Sequence, residues 1–294
     1  MTSRERRVWR QSAATVRSQR EYGAGFRWLE IDVPADVTPP VAGQFVQLLL
    51  PPPSPVLLPR PMSIAGVRRR GARRTLEFLY APVGAGTRAL AALEPGAPVL
   101  LTGPLGRGYP LEEPGTPVLV AGGRGVAPLL MAADALASRR RAPVFLFGAR
   151  DRSLLVGLAD ARTRLAACGG TLRVATDDGS RGHAGSVVGL LDALAPKLGP
   201  RIVIHACGPH GMLGALARWA IAHDVRAHLA MESVMACGTG VCRGCPLPRS
   251  AEARQRALAE GAAAAALRGN PEWAMCCTDG PVFEARDLDW DRVA

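Results

Sequence analysis

Val118-Leu-Val-Ala-Gly-Gly-Arg-Gly-Val-Ala-Pro128 decides the fold. Four apolar residues run into a glycine turn, and the turn opens a helix expected to reach about Arg140. A strand, a glycine turn and a helix in immediate succession open a parallel βα unit and give a dinucleotide site its context. The turn holds Gly122, Gly123 and Gly125, but it is not G-x-G-x-x-G. The alternation then repeats. Segments 143–148, 171–175 and 201–207 read as strands, and 154–167, 186–198 and 212–223 as helices. This pattern predicts a parallel sheet covered by helices. Two turns follow strands of that sheet, where ligands bind. One is Thr176-Asp-Asp-Gly-Ser180, whose Asp177 and Asp178 either bind a ribose or cap a turn. The other is Cys207-Gly208-Pro209, with Cys207 otherwise a small buried hydrophobe.

Upstream of Pro114 the pattern is different. Segments 8–33, 44–50, 75–80 and 98–102 read as short strands, broken by Pro34, Pro39, Pro51 and a charged turn, Arg68-Arg-Arg-Gly71. Short strands with Gly/Pro turns and little helix predict a closed antiparallel barrel. Two motifs here suit phosphate. Arg60-Pro61-Met62-Ser63 offers a guanidinium fork, unless it is an edge turn with a solvated arginine and a core methionine. Val83-Gly-Ala-Gly86-Thr87 supplies backbone N–H groups at a helix start, unless it is a simple loop.

Downstream, Cys237-Gly-Thr-Gly-Val-Cys242-Arg-Gly-Cys245 has C-x4-C-x2-C spacing, with Cys276 and Cys277 far beyond. That spacing with one distant cysteine is the plant-type [2Fe–2S] arrangement. Structural zinc favours paired C-x2-4-C loops, often with histidines, and fits less well. The five histidines are scattered singly, and Cys168 reads as a core residue at a helix end.

The 294 residues suffice for two or three domains. No apolar run reaches transmembrane length, and Met1-Thr-Ser-Arg-Glu-Arg-Arg lacks the apolar stretch of a secretory signal, so a cytoplasmic protein is expected. Seven cysteines in a reducing compartment then read as ligands or free thiols. The net charge of +11 with a single lysine reflects arginine-rich coding. No nucleic-acid motif accompanies it, and a partner with an acidic docking face fits it better.

Taken together, Met235-Ala-Cys-Gly-Thr-Gly-Val-Cys-Arg-Gly-Cys245 and Cys277-Thr-Asp-Gly-Pro-Val-Phe283 resemble the electron-transfer subunit of class 1B dihydroorotate dehydrogenase. Matching motifs extend back to Arg60. That family is built on the ferredoxin–NADP reductase plan. The resemblance implies an α+β multidomain chain: an antiparallel β-barrel FAD domain (1–113), an α/β NAD(P)-binding domain (114–229) and a small [2Fe–2S] domain (230–294). It implies that Arg60 and Ser63 hold FAD, with Pro61 and Met62 beside it, and that Gly86 and Thr87 make a second diphosphate contact. It places a nicotinamide cofactor at Gly122, Gly123, Gly125, Asp177, Asp178, Cys207, Gly208 and Pro209. By its register, Cys237, Cys242, Cys245 and Cys277 ligate the cluster and Cys276 does not. Gly103-Pro-Leu-Gly106 is structural. Arg124 stands where the family usually has an apolar residue, and the Ala/Arg-rich run 251–268 replaces a shorter connection. Electrons would pass between NAD(H), FAD, the cluster and an FMN-containing dihydroorotate dehydrogenase catalytic subunit in pyrimidine biosynthesis, as a heterotetramer of two plus two, with no acid–base residue in this chain. The small subunit of an NADH-dependent ferredoxin–NADP oxidoreductase shares the same motifs. A redox-sensing or zinc-stabilised binding protein is the alternative of another class.

Overall fold

A computed structural model of the chain describes residues 10–54, 56–71, 73–199, 201–259 and 270–293. The first sheet has seven strands: β1 (Gln11–Glu21), β2 (Arg27–Val33), β3 (Phe45–Leu49), β4 (Arg60–Ser63), β5 (Gly66–Arg70), β6 (Arg73–Tyr80) and β7 (Pro98–Leu105). A short helix, α1 (Ala85–Ala91), lies between β6 and β7. All neighbours pair antiparallel, in the order β4-β3-β7-β1-β2-β6-β5. The edge strands β4 and β5 are consecutive in the chain, joined only by Ile64 and Ala65. The Ala65 N–H donates to the Glu77 carbonyl at 2.7 Å. A two-residue link spans well under 15 Å, so the sheet rolls until its edges approach each other.

Arg68, Arg69 and Arg70, read from sequence as a turn, belong to β5 and pair with Thr75, Arg74 and Arg73. The correction has a physical reason, since charged side chains on an edge strand discourage pairing with other chains.

The second sheet is built from β8 (Thr116–Gly122), β9 (Val144–Ala149), β10 (Thr171–Thr176), β11 (His183–Ala184), β12 (Ile202–Cys207) and β13 (Arg226–Ala230). The helices α2 (Val126–Ser138), α3 (Leu158–Ala166), α4 (Val187–Leu194) and α5 (His210–Ala222) alternate with them. These strands pair parallel. Both faces are covered. Leu119 and Ala121 of β8 pack with α2, α3 and the first sheet, while Val118 and Val120 pack with α4 and α5. A fully buried leucine or phenylalanine here contributes about 1.5–3 kcal/mol.

The remaining chain forms β14 (Pro246–Pro248), α6 (Ala251–Ala259), β15 (Trp273–Met275) and β16 (Val282–Glu284). β14 and β15 make a small ribbon, and β16 adds antiparallel to β13 at the edge of the second sheet. Within the Ala/Arg-rich run 251–268, the alanines 262–266 make a strong helix former by composition, and they lie outside the described residues. Among the described residues no helix is long and apolar enough to cross a membrane.

The two sheets are held together by charge as well as by apolar packing. Glu77 of β6 is buried and bonded to Arg68 and to Arg164 of α3, the latter at 3.1 Å. Arg164 also bonds Asp134 of α2 and the Ala65 carbonyl.

Candidate functional site

Two adjoining cavities lie between the sheets and share Ala81 and Arg124 as walls. The smaller, of about 240 Å³, is lined by Pro61, Met62 and Ser63 of β4 and by Thr87 of α1. Its opposite wall comes from the tail, as Glu232, Ser233 and Met235. Arg60 does not line this cavity. Its Nε donates to the Pro59 carbonyl at 3.0 Å and its terminal nitrogen to the Leu58 carbonyl at 2.8 Å. The arginine lies across Gly86, where an added Cβ would come within 2.8 Å of its Cδ. The two phosphate-type motifs, far apart in sequence, therefore touch. Thr87 closes its own turn, accepting from the Gly84 N–H at 3.0 Å.

The larger cavity, of about 680 Å³, opens at the carboxyl edge of the second sheet. Gly122, Gly123, Asp177 and Pro209 line it, together with Arg150 and Ser186. Gly125, Cys207 and Gly208 lie beneath instead. A Cβ on Gly125 would stand 2.1 Å from the Cys207 carbonyl oxygen, and one on Gly208 would stand 2.5 Å from Met212 Cε. The turns after β8 and β12 thus meet backbone to backbone, as only glycine allows. Asp178 does not line the cavity. Its carboxylate accepts from the Ser180 N–H at 2.9 Å, and bonding to Ser180 holds its carboxyl below the usual range. Burial pushes the Cys207 thiol well up, so it stays protonated.

The four cysteines singled out from sequence come in two pairs. Cys237 and Cys242 have sulfurs 3.3 Å apart, as do Cys245 and Cys277. Left-handed glycines, Gly238 at φ +74° and Gly240 at φ +83°, curl the loop so that the Thr239 and Cys242 N–H groups point at Cys237 Sγ. Burial opposes charge on Cys237, but those N–H groups prevail and hold its thiol down at about 6. The hydrogen bond shared with Cys277 brings Cys245 to about 7 and pushes Cys277 up. Cys276 turns away, its thiol donating to the Met231 carbonyl at 3.5 Å, and burial raises it. Among the described residues no three His, Cys, Asp or Glu side chains converge on one ion. The arrangement is two pairs, not one tetrahedron.

The loop is seated on the first sheet. Gln47 of β3 is buried and donates through Nε2 to the Met235 carbonyl at 3.3 Å. Gly238 rests on that same side chain, with room for no Cβ. At the other end, Gly103-Pro-Leu-Gly106 receives the Asp279-Gly-Pro turn: the Arg107 N–H donates to the Gly280 carbonyl at 2.6 Å.

Sequence reading missed the tail residues Glu232 and Ser233 and the far-wall residues Arg150 and Ser186, none of which sits in a recognisable motif. It also took the histidines as isolated. His205 and His228 are register partners on β12 and β13 with rings stacked at 5.5 Å, which only strand pairing could reveal.

No family model matches the chain. Curated relatives do. The dihydroorotate dehydrogenase B (NAD(+)) electron transfer subunit of Bacillus caldolyticus is 34% identical over 251 residues, covering 84% of this chain and 86% of that one. The subunit of the same name from Desulforamulus reducens is 31% identical over 272 residues, covering 90% and 92%. Among solved structures, an NADH-dependent reduced ferredoxin-NADP oxidoreductase described for flavin-based electron bifurcation superposes with a TM-score of 0.76 at 23% identity, over 95% of this chain and 90% of that one. A flavohemoglobin from Malassezia yamatoensis with bound FAD and heme gives 0.62 at 18% identity, over 73% and 57%. The rolled antiparallel sheet, the parallel sheet and the paired cysteines thus accompany extended sequence identity, and the chain belongs to the family of dihydroorotate dehydrogenase B electron transfer subunits.

Proposed function

We propose that the chain carries three redox groups in one body and passes electrons between NAD(H) and an FMN-containing dihydroorotate dehydrogenase catalytic subunit, in a cytoplasmic heterotetramer of two plus two. Segment 1–113, with its sheet rolled as a closed barrel, holds FAD; 114–229 holds the nicotinamide cofactor; 230–294 holds a [2Fe–2S] cluster. When bound, these groups exchange a hydride and single electrons, which no side chain can do alone. The residues present fit them. The apolar small cavity behind Met62 suits a flavin ring, and Arg60, Gly86 and Thr87 gather diphosphate-binding chemistry at its side. The large cavity lies where parallel sheets take dinucleotides. Two thiol pairs match two irons with two protein ligands each, and the N–H groups aimed at Cys237 favour thiolate.

The observation that carries the reading is adjacency. Met235 lines the small cavity, its carbonyl is tied to Gln47, and Cys237 follows two residues later. Val241, next to the exposed Cys242, and Val234, just ahead of the cysteine loop, are 80% and 86% exposed, apolar surface suited to a docked protein.

The test is spectroscopic. The purified chain should show flavin and iron–sulfur absorbance, and NADH should bleach the flavin. Arg60→Ala should lower FAD content. Cys277→Ser should abolish or alter the EPR signal of the reduced cluster, and Cys276→Ser should leave it intact. The reverse pattern would shift the ligand set by one residue, and a colourless, zinc-containing protein would overturn the reading. Electron delivery to ferredoxin in place of the FMN subunit would favour the ferredoxin–NADP oxidoreductase alternative, which shares the fold.

A further inference from the structure

We propose that Arg124 receives the diphosphate of the incoming dinucleotide, an inference that rests on reading the large cavity as the nucleotide site. Three observations carry it. First, Arg124 lines both cavities, and among the described residues the only other that does so is Ala81, which has no charge. A dinucleotide that places its nicotinamide against the small cavity and its adenosine in the large one must cross that border with its middle, and its middle is the diphosphate.

Second, the guanidinium is exposed and, among the described residues, has no hydrogen-bond or ion-pair partner. Many of the other arginines are committed: Arg68 and Arg164 to Glu77, Arg249 to Asp279, Arg60 to its own loop. Arg124 is a cation held open.

Third, its backbone is fixed while its side chain is not. Gly123 before it has φ +50°, and Gly125 after it is wedged against the Cys207 carbonyl. The residue therefore projects from a rigid turn at the start of α2, a helix of 13 residues. The positive end of that helix dipole has the same polarity. Arg150, the other cation of the large cavity, follows β9 and lines that cavity alone. Glu232 lines the small cavity only, so negative charge there turns a diphosphate back toward Arg124. An apolar residue at this position would leave the helix dipole to act alone; the arginine adds a planar fork suited to two phosphate oxygens.

The experiment uses the full chain as purified with its cofactors. Calorimetric titration compares ADP-ribose, which has the diphosphate, with adenosine, which has none. In Arg124→Ile the ADP-ribose Kd should rise about tenfold or more, as expected for loss of a charge-assisted contact. Adenosine binding should be unchanged, and Arg124→Lys should fall between. The exposed side chain makes a folding defect unexpected, and thermal melting checks this. If the wild type binds ADP-ribose and Arg124→Ile binds it equally or more tightly, the role assigned to Arg124 is wrong and the cavity assignment survives. If adenosine weakens as much as ADP-ribose, Arg124 does not act on phosphate. If the wild type binds neither ADP-ribose nor NADH, the cavity assignment fails and the inference falls with it.

Discussion

Two regions of this molecule depend on glycine for opposite reasons. At the carboxyl edge of the second sheet, Gly125 is needed for space: the carbonyl of Cys207 occupies the place of its side chain. In the cysteine loop, Gly238 and Gly240 are needed for conformation, since both have positive φ. The first requirement belongs to the packing of two turns against each other and involves the whole sheet. The second belongs to one loop. Damage in the first region should therefore be global, and damage in the second local.

Gly125→Ala offers the largest expected effect. A backbone carbonyl cannot swing aside as a side-chain tip can, so β8 and β12 must separate, at a cost of about 3 kcal/mol or more. Denaturant midpoints would show it, and an unchanged midpoint would break the comparison. Gly238→Ala should cost about 1–2 kcal/mol, from a left-handed residue and crowding of Gln47. Here the sharper readout, on the proposed cluster, is iron content, which should fall while the far-UV spectrum stays native.

The effect that is smallest at neutral pH is on pH dependence. All five histidines lie between residues 183 and 228, within the second-sheet region, and none lies in the cysteine loop. Burial, and then the neighbouring His228, lower His205 from 6.5 to about 3. A folded pKa below the unfolded one means that the stabilisation is complete above 6.5 and is lost as pH falls toward 3. Near pH 5 the loss should be about 1.4 kcal/mol per pH unit. His205→Phe should flatten that slope in denaturation measured at pH 7 and pH 5. Equal slopes in the two proteins would show that the acid sensitivity originates elsewhere.

Elements specified by neighbours in sequence were legible. The strand, turn and helix from Val118 onward announce themselves within 20 residues, and the cysteine spacing singles out the residues that the fold brings together in pairs. Elements specified by distant partners were not. Arg226–Ala230 and Val282–Glu284 are five and three residues long and are strands only because they lie beside each other and β12. Glu232 escaped notice because an exposed acid carries no signal until a cavity forms around it. The contact of Arg60 with Gly86 is likewise a property of the rolled sheet, although each half had been singled out separately.

The pairing of β16 with β13 has a consequence for the order of synthesis. The chain leaves the second sheet after Ala230, makes the whole excursion through the four cysteines, and re-enters beside the strand it left. During translation the edge of β13 stays bare until Glu284 has left the ribosome. By then Cys237, Cys242, Cys245 and Cys277 have all preceded it out of the ribosome. The closing of the last strand is therefore the step that seals the cysteine loop into the body, and a nascent chain arrested before Val282 would present both an open sheet edge and unsheltered thiols.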